Sequence, residues 1–382
     1  MRVLMLGGDG YLGWSTALHF SHAGDDVLAV DNYLKRSIAK TSRAEALLEL
    51  PPLPERIALF HALTGHRLDY AIVDCTDYDQ LARQVRDFAP DTIVHYAEQP
   101  SAPYSMRGRA EADLTLKNNL DSTHNIIWCM IEHAPKAQLI KLGTMGEYGT
   151  PNIDIEEGWI DIQHKGRSDR LLFPRKPGSL YHTSKVLDTD LLWFYVRNHS
   201  LSVTDLMQGP VYGMETDQTA LDDRLAPHFH YDDIFGTVVN RFVVQAVSGI
   251  PLTVYGRGGQ RRGFLNLRDT LQCVELVARN PTLPGKFRVL NQFTEQFRII
   301  DIAQRVQDAA GAMGIKVQVQ TVENPRIELE EHYYNPQHSG LLELGLEPHP
   351  MTSEVLCGML EFAQRHVARV DPTLIYPRVK WR

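Results

Sequence analysis

The sequence predicts an α/β fold, a doubly wound parallel sheet followed by a smaller mixed α/β C-terminal lobe, and three observations predict it. Short β-branched runs alternate with helical periodicity over the first half, a glycine turn joins the first strand to the first helix, and the rhythm breaks after about residue 208. In order, Val3–Leu6, Val27–Asp31, Tyr70–Asp74, Thr92–Tyr96, Leu139–Leu142 and Ser202–Leu206 read as buried strands. Between them Tyr11–Ser21, Tyr78–Phe88, Asp113–Glu132 and Leu180–Asn198 carry apolar residues at helical spacing. Such alternation brings right-handed crossovers, hence a parallel sheet of Rossmann type. Beyond it, loop-rich segments at 209–230, 256–263 and 322–338 separate a helix at Ile234–Ser248, a strand at Leu252–Tyr255 and helices at Asp269–Arg279 and Ile300–Ala312.

Composition narrows the function. The 382 residues carry 47 acidic and 39 basic side chains, a formal charge of −8, which argues against the basic footprint of a nucleic-acid-binding protein. No apolar run approaches a membrane span, and the opening Met1-Arg2-Val3-Leu4-Met5-Leu6 lacks the parts of a signal peptide. Cys75, Cys129, Cys273 and Cys357 form no C-x-x-C pair, so reduced core thiols and a cytoplasmic setting are expected. His228-Phe229-His230, near Asp222, Asp223, Asp232 and Asp233, matches no closed metal-site spacing; a polar loop is expected there, and no metal.

Gly7-Gly8-Asp9-Gly10-Tyr11-Leu12-Gly13 follows the first strand at once and opens a helix. Glycines in this place permit a tight turn and close backbone approach to a pyrophosphate, whose charge meets the free N–H groups of the helix N-terminus. Asp31 closes the second strand, where a carboxylate binds both ribose hydroxyls and repels a 2′-phosphate. This combination points to NAD, although Lys35 and Arg36 stand close enough to accommodate the extra phosphate of NADP. The expected division is 1–208 as the NAD-binding domain, joined by a returning helix and strand at about 234–257, with 209–233 and 258–382 as a substrate lobe.

Tyr181 and Lys185 lie four apart on a predicted helix and so share a face. An adjacent ammonium favours the phenolate, which suits the tyrosine to remove a proton from a substrate hydroxyl during hydride transfer. Such a pair arises by chance about once in a chain of this length, so its position carries the weight. It follows the fifth strand and the loop Gly143-Thr144-Met145-Gly146-Glu147-Tyr148-Gly149.

These residues, with Gly7–Trp14, Ser101–Met106, Lys141–Gly158, Tyr181–Lys185, Leu252–Gly256, Asn291–Phe297 and Glu330–Asn335, resemble the extended short-chain dehydrogenase/reductases of the nucleotide-sugar type. Within them, the chain resembles the UDP-sulfoquinovose synthase family over essentially its whole length. The resemblance implies conversion of UDP-glucose and sulfite to UDP-sulfoquinovose with tightly held NAD. Oxidation at C4, loss of water across C5 and C6, sulfite addition at C6 and re-reduction at C4 would follow in turn. It implies that Tyr181 takes the 4-hydroxyl proton, Thr144 holds that oxygen, and Lys185 orients the nicotinamide ribose. Ordinary sugar 4,6-dehydratases resemble Thr-Asp-Glu where this chain has Thr144-Met145-Gly146, so Glu147 and His182 are the remaining local candidates for C5 deprotonation and C6 protonation. The candidate cofactor contacts are Gly7, Asp9, Gly10, Tyr11 and Gly13 in the turn, then Asp31, Asn32 and Arg36, then Asp74, Cys75, Tyr96, Asn118, Tyr181, Lys185 and Val211. Thr144, Gln208, Gln260, Arg262 and Arg326 are the candidate substrate contacts, the two arginines for the diphosphate and uridine. The family commonly has Arg where this chain has Pro100, which leaves the sulfite contact open. The helices at 113–132 and 180–198 are expected to pair across a two-fold in a homodimer or higher homo-oligomer. A UDP-sugar 4-epimerase using the same residues, and a non-catalytic NAD-binding regulatory protein, are the alternative readings.

Overall fold

Strands form where the sequence sets aliphatic and β-branched residues back to back, and the computed structural model, which describes residues 1–44, 46–326 and 331–380, joins seven of them in one parallel sheet. The chain runs β1 (Arg2–Leu6), α1 (Tyr11–His22), β2 (Asp26–Asp31), α2 (Leu34–Ser42), α3 (Leu53–Thr64), β3 (Asp69–Ile72), α4 (Tyr78–Phe88), β4 (Thr92–His95), α5 (Ala102–Ser105), α6 (Arg109–His133) and β5 (Gln138–Thr144). A hairpin of β6 (Trp159–His164) and β7 (Arg167–Leu172) precedes α7 (Leu180–His199), β8 (Ser202–Gln208) and β9 (Val211–Tyr212). Then come α8 (Val238–Val247), β10 (Leu252–Tyr255), β11 (Arg261–Asn266), α9 (Leu267–Arg279), β12 (Phe287–Gln292), β13 (Glu295–Arg298), α10 (Ile299–Ala312), β14 (Val319–Val322), α11 (Ser339–Glu343) and α12 (Ser353–Arg365).

The sheet order is β12-β8-β5-β4-β1-β2-β3. The order reverses between β1 and β4, and an open sheet binds ligands at such a switch point, beyond the carboxyl ends of its strands. Burial on both faces follows from β1 alone. Val3 and Met5 pack with Trp14, Ala17 and Val274 on one side, while Leu4 and Leu6 pack with Leu81, Ile126 and Met130 on the other. Each fully buried Val, Leu, Ile or Met among them contributes about 1.5–3 kcal/mol through apolar burial.

Several boundaries differ from expectation, each for a local reason. β3 ends at Ile72 rather than Asp74, because Asp74 Oδ1 accepts the N–H (2.9 Å) and hydroxyl (2.8 Å) of Thr76 and bends the chain into a turn. α8 starts at Val238 rather than Ile234, because Asp232 Oδ1 takes the N–H groups of Ile234 (2.7 Å) and Phe235 (2.9 Å). The unit that returns to the main sheet is α9 and β12, not the helix and strand at about 234–257. β12 pairs with β8, whereas β10 pairs with β14 in a separate two-stranded sheet. The reason is packing. α8 is buried almost all round, and Val239, Phe242 and Val243 form one core with Ile302 and Val306 of α10 and Leu356 and Leu360 of α12.

The chain from 371 to 378 fastens the loop ahead of α8. Arg378 donates to Asp233 Oδ1 from Nε (2.9 Å) and Nη2 (2.5 Å) and to the Ser42 carbonyl (3.1 Å), and the Asp371 N–H reaches Tyr231 Oη at 2.8 Å. Among the described residues no helix is long and apolar enough to cross a membrane.

Candidate active site

A cavity of about 960 Å³ opens along the carboxyl ends of β1, β2, β4, β5 and β8 and is closed by residues of the second lobe. Its floor is the glycine turn. Gly7 has φ +85°, and a Cβ there would lie 2.7 Å from the Tyr96 carbonyl carbon; one on Gly13 would lie 2.0 Å from the Gly7 oxygen. The N-terminus of α1 at Gly10 carries no side-chain cap, so its N–H groups remain for an anion. Asp31 Oδ2 accepts the Asp9 N–H (2.9 Å) and Oδ1 the Tyr33 N–H (2.7 Å), which fixes the carboxylate at the end of β2. Burial, then the charge of Asp9, raises it to about 6. A cradle closed to any Cβ, an uncapped helix start and a fixed acid suit a dinucleotide.

Of the expected site residues, Gly7, Gly10, Tyr11, Gly13, Asp31, Asn32, Asp74, Cys75, Tyr96, Asn118 and Val211 line this cavity, as do Thr144, Tyr181, His182, Gln208, Gln260, Arg262 and Arg326. Four are not on its wall. Lys185 is 2% exposed, one layer behind it. Asp9 and Arg36 are taken up in an ion pair with each other, Nε to Oδ2 at 2.6 Å. Glu147 is fully buried behind the β5 loop, because it closes a capping box: its Oε1 accepts the Thr144 N–H at 3.2 Å. Position therefore removes Glu147 from proton transfer at a substrate.

The same box prepares Thr144. Its Oγ1 accepts the Gly146 N–H at 3.1 Å, so the hydroxyl proton is left for an oxygen in the cavity. Behind it, Lys141 Nζ stands 3.5 Å from both Glu147 Oε1 and Asp205 Oδ2, and Arg175 Nε 3.3 Å from Glu147 Oε2. Replacing Lys141 by Met takes the cation from Asp205, leaves Glu147 with Arg175 alone and should cost about 3–5 kcal/mol of stability, read by denaturant unfolding.

Lys185 Nζ bonds Glu98 Oε2 at 2.5 Å. Burial opposes its charge, but Glu98 and then Asp188 hold its pKa above the ordinary lysine value, so it stays an ammonium. Glu98 does line the cavity, and its buried Oε1 has no hydrogen-bond partner among the described residues. Sequence spacing does not reveal Glu98 as the Lys185 partner, since 87 residues separate the two; the available signal was its place just past the fourth strand. His95 beside it is fully buried and pushed down to about 4 by burial. A histidine held neutral in the fold but free to protonate when unfolded contributes stability above about pH 6.5 that is lost as pH falls towards 4. Relative to a His95→Gln variant, the parent should lose about 1.4 kcal/mol per pH unit across that window, measured by urea unfolding.

His182 sits where the loop departs from the dehydratase pattern. A Cβ on Gly146 would lie 2.3 Å from His182 Nε2, so the imidazole occupies the space any side chain at 146 would need. Ser179 Oγ holds Nδ1 at 3.0 Å and orients the ring. Burial, then Arg326 and Arg262, pushes His182 down to about 3, leaving it neutral.

Residues 3–291 match the NAD dependent epimerase/dehydratase family. The chain is 48% identical over 381 residues to the chloroplastic UDP-sulfoquinovose synthase of Spinacia oleracea, spanning 100% of this chain and 79% of that one. It is 40% identical over 385 residues to the UDP-sulfoquinovose synthase of Sulfolobus acidocaldarius, spanning 100% and 98%. UDP-glucose 4-epimerase from Bifidobacterium longum, solved in complex with NAD+ and UDP, superposes with a TM-score of 0.72 at 18% identity over 96% of this chain and 98% of that one, a likeness of fold. The chain belongs to the NAD dependent epimerase/dehydratase family and, within it, to the UDP-sulfoquinovose synthases.

Proposed function

We propose that the protein makes UDP-sulfoquinovose from UDP-glucose and sulfite in this cavity, and that the fit of His182 against Gly146 is the observation that carries the reading. NAD, when bound, supplies the acceptor and then the donor of the hydride at C4 of the sugar. The chain's own residues manage protons and charge. Tyr181 removes the 4-hydroxyl proton, Thr144 donates a hydrogen bond to that oxygen, and Lys185, kept cationic by Glu98, favours the phenolate.

The 4-ketone acidifies C5–H. Neutral His182 accepts that proton at Nε2 and returns it to the C6 oxygen, which leaves as water and creates an alkene conjugated with the ketone. His182 then takes a proton from bisulfite, the sulfur lone pair of the sulfite so formed bonds to C6, and His182 gives that proton to C5. Arg326 and Arg262 are the charges that, after burial, hold His182 neutral. A diphosphate seated on those arginines offsets their charge and makes His182 a better base once substrate is in place. Met145, buried and apolar, replaces a carboxylate that would repel sulfite.

A homodimer through α6 and α7 is supported by the aromatic side chains on them, where half-buried Trp128 and Tyr195 meet edge to face at 5.9 Å and Phe194 is 51% exposed. The absence of any membrane-length helix among the described residues and the free cysteines fit a cytoplasmic setting. The test is to supply UDP-glucose, NAD and isotopically labelled sulfite and identify products by mass spectrometry and NMR. A labelled sulfonate at C6 is expected. UDP-galactose alone would make the protein an epimerase, and an unchanged sugar would make it a binding protein.

A further inference from the structure

We infer that Asp9 sets the cofactor preference of this site by holding Arg36 out of it. The inference rests on the dinucleotide reading and deepens it. Asp9 lies between two glycines of the turn, yet it is 3% exposed and is not on the cavity wall. Arg36 grips it with two donors, Nε at 2.6 Å and Nη2 at 2.7 Å, and spends two more on the carbonyls of Leu50 (2.7 Å) and Pro51 (2.8 Å). Four of its five N–H groups are then committed. Arg56 Nη1 approaches the same carboxylate at 3.2 Å, and His228 Nε2 also at 3.2 Å. Arg56 is anchored in turn, donating to the Ala226 carbonyl at 2.7 Å and lying 4.0 Å over the Trp14 ring.

The consequence is chemical. A 2′-phosphate is best recognised by a guanidinium, which binds it through two parallel bonds. This chain carries one in the first turn of α2, a few residues past the acid that ends β2, and Asp9 neutralises it and fixes its direction. The same residue's N–H orients Asp31, so the wall presented to the ribose is a carboxylate rather than a guanidinium. Lys35 is the cation that does line the cavity there, as a single ammonium 5.3 Å from the Phe235 ring. Asp9 thus excludes the phosphorylated cofactor from behind, without touching it, while Asp31 repels it from in front.

A binding cycle tests this with the full-length protein after removal of bound nucleotide, titrating NAD and NADP separately by calorimetry. Asp31→Ser removes the frontal repulsion. Adding Asp9→Asn should tighten NADP binding by about tenfold beyond Asp31→Ser alone, and Arg36→Leu should abolish that gain. With Asp9 in place, Arg36→Leu should change the NADP affinity of Asp31→Ser by less than about threefold. This comparison decides the matter alone if the Asp9→Asn variants fail to fold by circular dichroism. A larger loss there means that Arg36 already reaches the phosphate and overturns the proposal. So does a gain that survives Arg36→Leu, or no gain in folded Asp9→Asn protein. A parent protein that binds neither nucleotide refutes the dinucleotide reading itself.

Discussion

Tyr181→Phe is expected to lower UDP-sulfoquinovose formation by about two to four orders of magnitude while leaving NAD bound, because it removes only the group that takes the 4-hydroxyl proton. The early readout is the reduced cofactor. On mixing with UDP-glucose in the absence of sulfite, the parent should show a rise in nicotinamide absorbance and the variant none. The affinity for UDP-glucose should stay within a few-fold, since Arg262 and Arg326 lie on the second-lobe side of the cavity and are untouched. Burial, the largest influence on Tyr181, raises its pKa, and Glu98 raises it further. The free enzyme therefore holds a protonated phenol. Deprotonation needs Lys185 and the positive charge of an oxidised nicotinamide, so the tyrosine becomes a base only in a loaded site. A variant that turns over at the parental rate removes Tyr181 from the chemistry.

The second large effect is expected from a single methyl group. Gly146→Ala places a carbon 2.3 Å from His182 Nε2, a distance at which the ring must move. The 4-ketone should still form, because the three atoms nearest the added carbon all belong to the His182 ring and none to Thr144 or Tyr181, but loss of water should fall by about a hundredfold or more. His182→Ala should give the same pattern by deletion instead of displacement. If both act through the imidazole, the double variant is no slower than the worse single one. Mass spectrometry of quenched reactions distinguishes the accumulated 4-keto sugar from substrate. Full elimination in His182→Ala would assign the C5 proton to another group.

The parts of this site set by local rules were legible in the sequence. Gly7, Gly10 and Gly13 follow a strand and open a helix, Asp31 ends the next strand, and Tyr181 and Lys185 are one helical turn apart. Each is a matter of spacing along one element or across one turn, and the cavity gathers all of them but Lys185 on its wall. What the spacing could not show depends on contacts between distant segments. Arg36 reads as a cofactor ligand until its pairing with Asp9, 27 positions away, turns it around. Glu147 reads as a candidate acid or base for the sugar until Lys141 and Arg175 close over it. β12 escaped notice for a different reason: its Asn291 and Gln292 look like loop residues, yet both are fully buried. Asn291 earns its place by bonding the Tyr148 hydroxyl at 3.0 Å and the Gln337 carbonyl at 2.7 Å.

The clasp between Asp233 and Arg378 has a consequence for the order in which the protein is built. The two residues are 145 positions apart, and ribosomes add roughly 5–20 residues per second, so the loop carrying Asp233 waits about 7 to 30 s for its partner to be synthesised. His228, His230 and Ile234 of that loop line the cavity. The glycine turn, made first, can therefore meet a nucleotide while the nascent chain is still growing, before the wall beside it is fastened. A cofactor captured at that stage would be enclosed by the last part of translation.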